Sequence, residues 1–451
     1  MSDAPDYVRD TIVAAATPPG TGGIAVVRIS GPRTDAIART MLGRLPEPRM
    51  ATVAAFRDAD GCLLDQGIAI RFPEPHSFTG ESVLELHGHG GPVVVAGLVE
   101  AVLRLGARRA EPGEFSKRAF LNDKLDLAQA EAIADLVTSG SGQAARAALR
   151  SLSGTFSRAV QELGEQLTAL RTYTEAAIDF PEEEIDFLSD ERLEQRLRQC
   201  EEAFAALRNR AAAGRVLRDG YRIVIVGRPN AGKSSLLNAL AGQETAIVTE
   251  VAGTTRDILR EIIDIDGLHV ELMDTAGLRD DPDRIEAEGI RRAREALASA
   301  DAVLWIQDAS EPPSAAGFGE RLPPDVPVVV VRNKIDLTGE SAGRLSAGPP
   351  EVSLSAKTGA GLDALRALIR ELAGFRDLGE GAFTARQRHL DALDRAWRHF
   401  RAGCAALAEA RAGELLAEEL KLAHGALGEI TGGIGSDELL GRIFSEFCIG
   451  K

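Results

Sequence analysis

The sequence is poor in the features that mark several protein classes. Cysteine occurs four times, at Cys62, Cys200, Cys404 and Cys448, and no two of these form a CxxC pair. Such spacing gives neither a disulfide framework nor a zinc site. Positive charge is in deficit, since 52 Lys and Arg against 68 Asp and Glu leave a formal net charge of −16. That balance argues against a chain coating nucleic acid through a broadly basic surface, while a local basic patch is still compatible with it. No apolar run approaches the ~20 residues of a membrane helix. The start, Met-Ser-Asp-Ala-Pro-Asp, lacks the basic segment and apolar run of a secretory signal. These absences lead to the expectation of a cytoplasmic protein that uses no membrane.

With 451 residues, 44% of them apolar and 27% charged, the chain is long enough for about three ordinary domains and shows no bias toward disorder. Residues 1–120 alternate short β-branched runs with Gly and Pro; 24–29, 67–72 and 83–86 read as strands. A helix is expected over 92–105, with Pro92 in its first turn. This region is an α+β domain. From 121 to 218 the only proline is Pro181, and Ala, Leu, Glu and Arg recur at helical spacing. A second helix-favouring stretch runs from about 383 to the end. Between them strands and helices alternate, so the simplest arrangement is a helical domain in two halves with an α/β domain inserted. The acidic run 179–186 reads as a solvated helix end or turn.

The inserted segment carries the chemistry. A buried-strand run, 221–226, leads into Gly227-Arg-Pro-Asn-Ala-Gly-Lys-Ser234, which fits GxxxxGK[ST], and a helix is expected over 235–240. Strand, glycine loop and helix together define a phosphate-binding loop. Glycines let backbone N–H groups approach phosphates, and a helix amino terminus favours negative charge. Lys233 would neutralise the β- and γ-phosphates, and the Ser234 hydroxyl would ligate Mg²⁺. Further along, Gly253-Thr-Thr-Arg-Asp257 supplies Thr255 as a second Mg²⁺ ligand. A hairpin turning at Asp266-Gly267 leads to Asp274-Thr275-Ala276-Gly277, where the carboxylate would hold the Mg²⁺ shell and the Gly277 amide would sense the γ-phosphate. Then come Asn333-Lys334-Ile-Asp336 and Ser355-Ala356-Lys357. A carboxylate at Asp336 accepts both guanine N1–H and its 2-amino group, which selects GTP over ATP. Ser355-Ala356-Lys357 would brace the base. Leu278 stands where Ras-like proteins place a water-orienting glutamine, so another group must orient water. Arg256 is a candidate for an arginine finger, and equally for a solvated switch residue.

Three other features read as structural. His87 and His89 suggest a metal by eye, but no third ligand follows by spacing, and both read as turn residues. Gly88-His-Gly-Gly91 fits the GxxG of a KH loop, a pattern too permissive to use. Cys448 could be a reactive thiol, but a lone cysteine with no adjacent base gives no reason in the sequence for a lowered pKa.

The whole chain resembles the tRNA modification GTPase MnmE (TrmE) family. Beyond the motifs above, the resemblance rests on Asp10-Thr-Ile-Val-Ala14, Pro18-Pro-Gly20, Arg28-Ile-Ser-Gly31, Ser77-Phe-Thr-Gly-Glu81, His87-Gly-His-Gly-Gly91, Pro112-Gly-Glu-Phe115, Asn122-Asp-Lys-Leu-Asp126 and Cys448-Ile-Gly-Lys451. It implies an amino-terminal tetrahydrofolate-binding α+β domain (1–120), a discontinuous helical domain (121–216 and 378–451) and an inserted Ras-like P-loop GTPase domain (217–377). It also implies a homodimer, and a complex with an FAD-dependent partner, MnmG, as a heterotetramer or larger. The FAD belongs to that partner alone. Together they would place an aminomethyl or carboxymethylaminomethyl group on the wobble uridine of certain tRNAs, using a carbon carried by 5-formyl- or methylene-tetrahydrofolate.

Carried over residue by residue, the resemblance assigns Arg28, Glu81, Lys124 and Lys451 to folate. It assigns a potassium ion to Asn230 and to Thr249, Val251 and Thr254, and the positioning of catalytic water to Glu286. It extends the nucleotide contacts over Asn230, Ala231, Gly232, Lys233, Ser234 and Ser235, and over Thr249, Glu250, Val251, Ala252, Gly253, Thr254 and Thr255. The alternative class is a ribosome-assembly GTPase, an RNA-binding switch sharing the Gly253–Asp257 pattern. Such proteins carry a KH domain or a second GTPase domain, and neither is visible here. A membrane-remodelling GTPase would need a lipid-binding stalk tip, which neither terminus offers.

Overall fold

The computed structural model describes residues 9–179, 191–242, 260–274, 297, 300–312, 326–345, 350–374, 381–433, 437–445, 447 and 449–450. The chain divides into two compact units. The first is Met1–Val137, Ser151–Leu197 and Arg395–Lys451, and the second is Thr138–Arg150 and Arg198–Asp394.

The first unit is built on β1 (Ile12–Ala15), β2 (Gly22–Ser30), α1 (Thr34–Leu42), β3 (Thr52–Arg57), β4 (Leu63–Phe72), β5 (Val83–Gly90), α2 (Pro92–Arg104), β6 (Arg108–Arg109) and α3 (Glu114–Leu121). The sheet order is β3-β4-β5-β2-β1-β6, antiparallel apart from the β1–β6 pair. One face is covered by α1 and α2, through Ile37, Met41, Leu98 and Val102 against Val27, Ile29, Leu84 and Leu86. Pro92 stands at the helix start expected of it.

One local expectation is corrected. His87 and His89 stand on β5 and not in a turn, with His87 paired to Ile68 of β4 and to Val26 of β2. The glycines around them serve close packing. A Cβ at Gly88 would lie 2.4 Å from Asp65 Oδ2, and one at Gly90 would lie 2.5 Å from the Gly22 carbonyl. His89 Nδ1 is 2.7 Å from Asp65 Oδ1, and His87 Nε2 is 3.2 Å from Glu85 Oε2.

Helices follow: α4 (Leu127–Thr138), α5 (Gly142–Leu152), α6 (Thr155–Asp179) and α7 (Glu191–Asp219). Of the acidic run 179–186, only the backbone of Asp179 at the end of α6 lies within the described residues. After the second sheet come α11 (Gln387–Ala410), α12 (Gly413–Thr431) and α13 (Asp437–Ser445). Within the first unit, α6 packs on α12. The pattern explains the pairing, because Phe156, Val160, Leu163, Leu167, Leu170 and Thr174 are buried at alternate steps of four and three. Leu416, Leu420, Ala423, Leu427 and Ile430 repeat the same spacing on α12.

The second unit holds β7 (Tyr221–Gly227), α8 (Lys233–Ala241), β8 (Arg260–Ile265), β9 (Leu268–Asp274), β10 (Ala302–Asp308), β11 (Val328–Asn333), α9 (Ile335–Thr338), β12 (Gly343–Leu345), β13 (Glu351–Ser353) and α10 (Leu362–Leu372). Its seven strands lie in the order β12-β13-β11-β10-β7-β9-β8. β9, β7, β10, β11 and β13 are mutually parallel, and β8 and β12 are antiparallel edges. In β7 the side chains alternate between two cores: Ile223 and Ile225 face one, Val224 and Val226 the other. A strand buried on both faces is what a parallel sheet covered on both sides requires. The hairpin turns at Asp266-Gly267, with φ of 51° and 88° and Ile265 opposite Leu268. That is the two-residue turn the Asp-Gly pair favours.

Candidate nucleotide site

β7 is central, and its neighbours β9 and β10 lie on opposite sides of it. The loop leaving its carboxyl end therefore opens at the point where the strand order reverses, the usual place for a ligand in such sheets. That loop is the glycine loop. Gly227 is required by close approach, because a Cβ there would meet the Ile306 carbonyl at 2.5 Å. Asn230 takes the left-handed conformation at φ 62°, which asparagine tolerates better than most residues. Gly232, at φ +92°, would carry a Cβ only 2.3 Å from Asn333 Nδ2. Neither alanine nor a larger residue fits there.

Asn333 is the keystone of this arrangement. It is 2% exposed, its Nδ2 donates to the Ala231 carbonyl at 3.0 Å, and its Oδ1 accepts from the amides of Lys334 (2.8 Å) and Ala356 (3.0 Å). One buried amide side chain thus ties the glycine loop to the two loops expected to hold a base. A buried amide with its bonds made is rigid, since leaving any of them unmade costs about 1–3 kcal/mol. Ser355, fully buried, donates through Oγ to Asp336 Oδ1 at 2.6 Å and so orients that carboxylate. Ala356 follows it, and Lys357 is exposed.

Lys233 begins α8, and its Nζ donates to the carbonyls of Gly227 (3.1 Å) and Arg228 (3.0 Å). The ammonium is held over the loop where phosphate oxygens would lie. Ser234 and Ser235, in the first turn of the same helix, are exposed, as is Asn230. Asp274 is the last residue of β9. Thr249, Glu250, Val251, Ala252, Gly253, Thr254, Thr255, Thr275, Ala276, Gly277 and Glu286 lie outside the described residues.

Sequence reading missed Asp308. It ends β10 opposite Asn333 of β11, and its Oδ2 lies 2.7 Å from Lys334 Nζ. The bond from Lys334, helped by those from Ser310, lowers its carboxyl to a pKa of about 2. A carboxylate at the carboxyl end of a parallel strand beside the glycine loop was the available signal.

The residues expected to hold folate lie in the first unit. Arg28 on β2 bonds Glu85 Oε1 at 2.9 Å and sits 5.5 Å from the Phe78 ring and 5.7 Å from the Phe115 ring. Glu81 is 8% exposed; it accepts from Ser30 Oγ at 2.7 Å and from Arg118 Nη1 at 3.1 Å. Lys124 is exposed and donates to the Pro75 carbonyl at 3.1 Å. Asn122 Nδ2 donates to the Thr79 carbonyl at 2.7 Å, which joins the turn carrying Lys124 to the loop carrying Glu81. Lys451 and Cys448 lie outside the described residues. The backbone just before Lys451 reaches the sheet: Ile449 bridges Pro112, and a Cβ on Gly450 would stand 2.2 Å from the Ala15 carbonyl.

Arg118 was also missed by sequence reading. It is 1% exposed and bonds Asp10, Glu81 and Glu114. Arg108 bonds Asp10 and Glu114 as well. Burial alone would raise the carboxyls of Asp10 and Glu114, yet the hydrogen bonds from these arginines hold both below the ordinary range. The matching effect on Arg118 outweighs its own desolvation and raises its pKa.

The parallel sheet, the glycine loop at its switch point and the paired loops at Asn333–Asp336 and Ser355–Lys357 define a P-loop GTPase. A family model described as the MnmE helical domain matches residues 127–448, and one described as the amino terminus of the GTP-binding protein TrmE matches 11–124. The tRNA modification GTPase MnmE of Proteus mirabilis (strain HI4320) is 55% identical over 453 residues, covering 99% of this chain and 100% of its own. The chain belongs to the MnmE family of tRNA modification GTPases. Among solved structures, the G domain of the T. maritima FeoB iron transporter is 25% identical over 34% of this chain and 98% of its own, with a TM-score of 0.27. The cytosolic domain of the same transporter is 21% identical over 50% of this chain and 95% of its own, with a TM-score of 0.28. Among the described residues, no helix is long and apolar enough to cross a membrane.

Proposed function

We propose that this chain is a potassium-dependent GTP hydrolase that works with the FAD-dependent MnmG to place an aminomethyl or carboxymethylaminomethyl group on the wobble uridine of certain tRNAs. The observation that supports the GTP half is the Asn333 brace, which sets the glycine loop and the Asp336 carboxylate in one frame. Asp336 reads guanine, Lys233 takes the phosphate charge, and Ser234 with Thr255 would hold Mg²⁺. The exposed hydroxyl of Ser234 in the first turn of α8 suits a hard cation beside phosphate. Asn230, exposed at mid-loop with an amide oxygen, suits potassium, with the backbone of Thr249, Val251 and Thr254 completing its shell. Bound there, potassium would supply the positive charge that an arginine finger supplies elsewhere. Glu286 positions the attacking water, because Leu278 cannot.

In the same reading a tetrahydrofolate carries the transferred carbon. Arg28, close to two aromatic rings, and the exposed Lys124 suit a flat ligand with carboxylates, and Glu81 and Lys451 complete the set. The domains are 1–120, 121–216 with 378–451, and 217–377, the chain acts as a cytoplasmic homodimer, and FAD belongs to MnmG. Nucleoside analysis of tRNA from cells lacking this chain is expected to show unmodified wobble uridine. Normal wobble uridine in those cells would remove the tRNA half. Equal GTP turnover in matched potassium and sodium buffers would remove the potassium half.

A further inference from the structure

The side chain of Lys334 runs from the base-reading loop past Gly232 to Asp308. Lys334 takes the left-handed conformation, at φ 69°, a costly choice for a lysine that persists only where the surroundings require it. From there its side chain runs over the glycine loop, with Cε 3.9 Å from where a Cβ on Gly232 would stand. It ends on Asp308 Oδ2 at 2.7 Å, with 14% of the Asp308 side chain and 30% of that of Lys334 exposed. The strand register makes this possible, because Asp308 faces Asn333 across β10 and β11. The two oxygens of Asp308 do different work. Oδ1 accepts from the Ser310 amide (3.0 Å) and hydroxyl (2.6 Å), which forms the turn, while Oδ2 meets the ammonium.

We infer that Asp308 is a positioning residue for guanine-nucleotide binding: it pins the Lys334 ammonium so that the lysine stem forms a fixed apolar wall between the base-reading loop and the glycine loop. This rests on the GTP site proposed above. A purine needs a flat apolar surface beside it, and a free lysine would have to be ordered on every binding event. A second consequence concerns charge. Pinned to Asp308, the ammonium stays off the phosphates, which leaves Lys233 as the cation serving them. The clamp therefore acts on affinity and leaves the hydrolytic step alone.

The test uses the full chain and six variants: Asp308→Asn, Lys334→Met, the two combined, Ser310→Ala, Asp308→Glu, and Asp336→Asn combined with Lys334→Met. Affinity is read by titration with fluorescently labelled GDP, and KM and kcat by GTP turnover. Asparagine still accepts the Ser310 bonds, so Asp308→Asn removes the ion pair and keeps the turn. Ordering one long side chain on binding predicts a loss of roughly two- to tenfold in GDP affinity, with KM raised and kcat unchanged. Lys334→Met keeps the stem but frees it, so it should lose as much, and the double variant should lose no more than either single. Ser310→Ala should bind like the parent, and Asp308→Glu should recover part of the loss. Parental GDP affinity in Asp308→Asn, or losses that multiply in the double variant, would overturn the clamp. A fall in kcat with KM unchanged would overturn it too. Parental affinity in Asp336→Asn and Lys334→Met together would instead overturn the base site, and the clamp with it.

Discussion

Around the glycine loop, Asn230, Ser234 and Ser235 stand exposed, and one buried amide, Asn333, holds their loops in place. Beside the amino-terminal sheet, on α3 and in the loop before β5, the polar groups are buried instead: Glu81, Glu114 and Arg118 are each less than a tenth exposed, and Arg118 bonds both carboxylates. The first region offers backbone amides and short polar side chains to a ligand that brings its own charge. The second spends its charges on internal pairing and leaves Arg28 and Lys124 at its margin. A site made from backbone must be written as glycine and asparagine at set positions. A site made from paired side chains can be written in many ways, as long as the partners meet in space.

At the nucleotide site the largest effect is expected from Glu286→Ala. Because Glu286 is the residue proposed above to position the attacking water, its removal is expected to lower GTP turnover by ~10²–10⁴ with GDP titration unchanged. Retained turnover would show that another residue orients the water.

On the other side, Arg118→Met should destabilise the first unit by about 3–5 kcal/mol, because the buried Glu81 would lose the arginine that bonds it and Glu114 would keep Arg108 alone. Denaturant unfolding followed by hydrogen exchange at the amides of β1 and β2 measures this. GTP turnover should survive. An unchanged unfolding midpoint would mean that the arginine network carries no net stability.

Asp336→Asn comes next. It leaves the guanine N1–H and 2-amino donors without a carboxylate, so GTP affinity should fall by about tenfold or more while xanthosine triphosphate gains. Direct titration with both nucleotides decides it.

The smallest effect is in acid. Asp10 and Glu114 are held below their ordinary values, so their contribution is fully present well above pH 4. It is lost as pH falls below about 4 and through the folded-state values. Stability of the first unit should therefore be flat from neutrality downward and then decline, and Glu114→Gln should flatten part of that decline. The Asp308–Lys334 pair, with its carboxyl near 2, should outlast it. A decline that begins near neutrality would point to histidine instead.

Much of the second unit was legible in advance. Tyr221–Gly227, the glycine loop, the Asp266-Gly267 hairpin and the Asn333–Asp336 loop each show their local form within a few residues, because turn chemistry is a local demand. The histidines of β5 misled for a related reason: Gly88 and Gly90 resemble turn glycines until Asp65 and Gly22 are seen against them.

By itself, then, the sequence determined the glycine loop, the Asp266-Gly267 hairpin and the four-and-three apolar spacing of α6 and α12, all of which depend on neighbours along the chain. Only the tertiary structure decided that Asp308 pins Lys334, 26 residues away, and that Arg118 closes on Asp10, 108 residues away. A charged side chain carries no mark of its partner in the sequence. The partner is set by sheet order and register, which bring β10 beside β11 and the start of β1 beside α3, and by the cost of burying either charge alone.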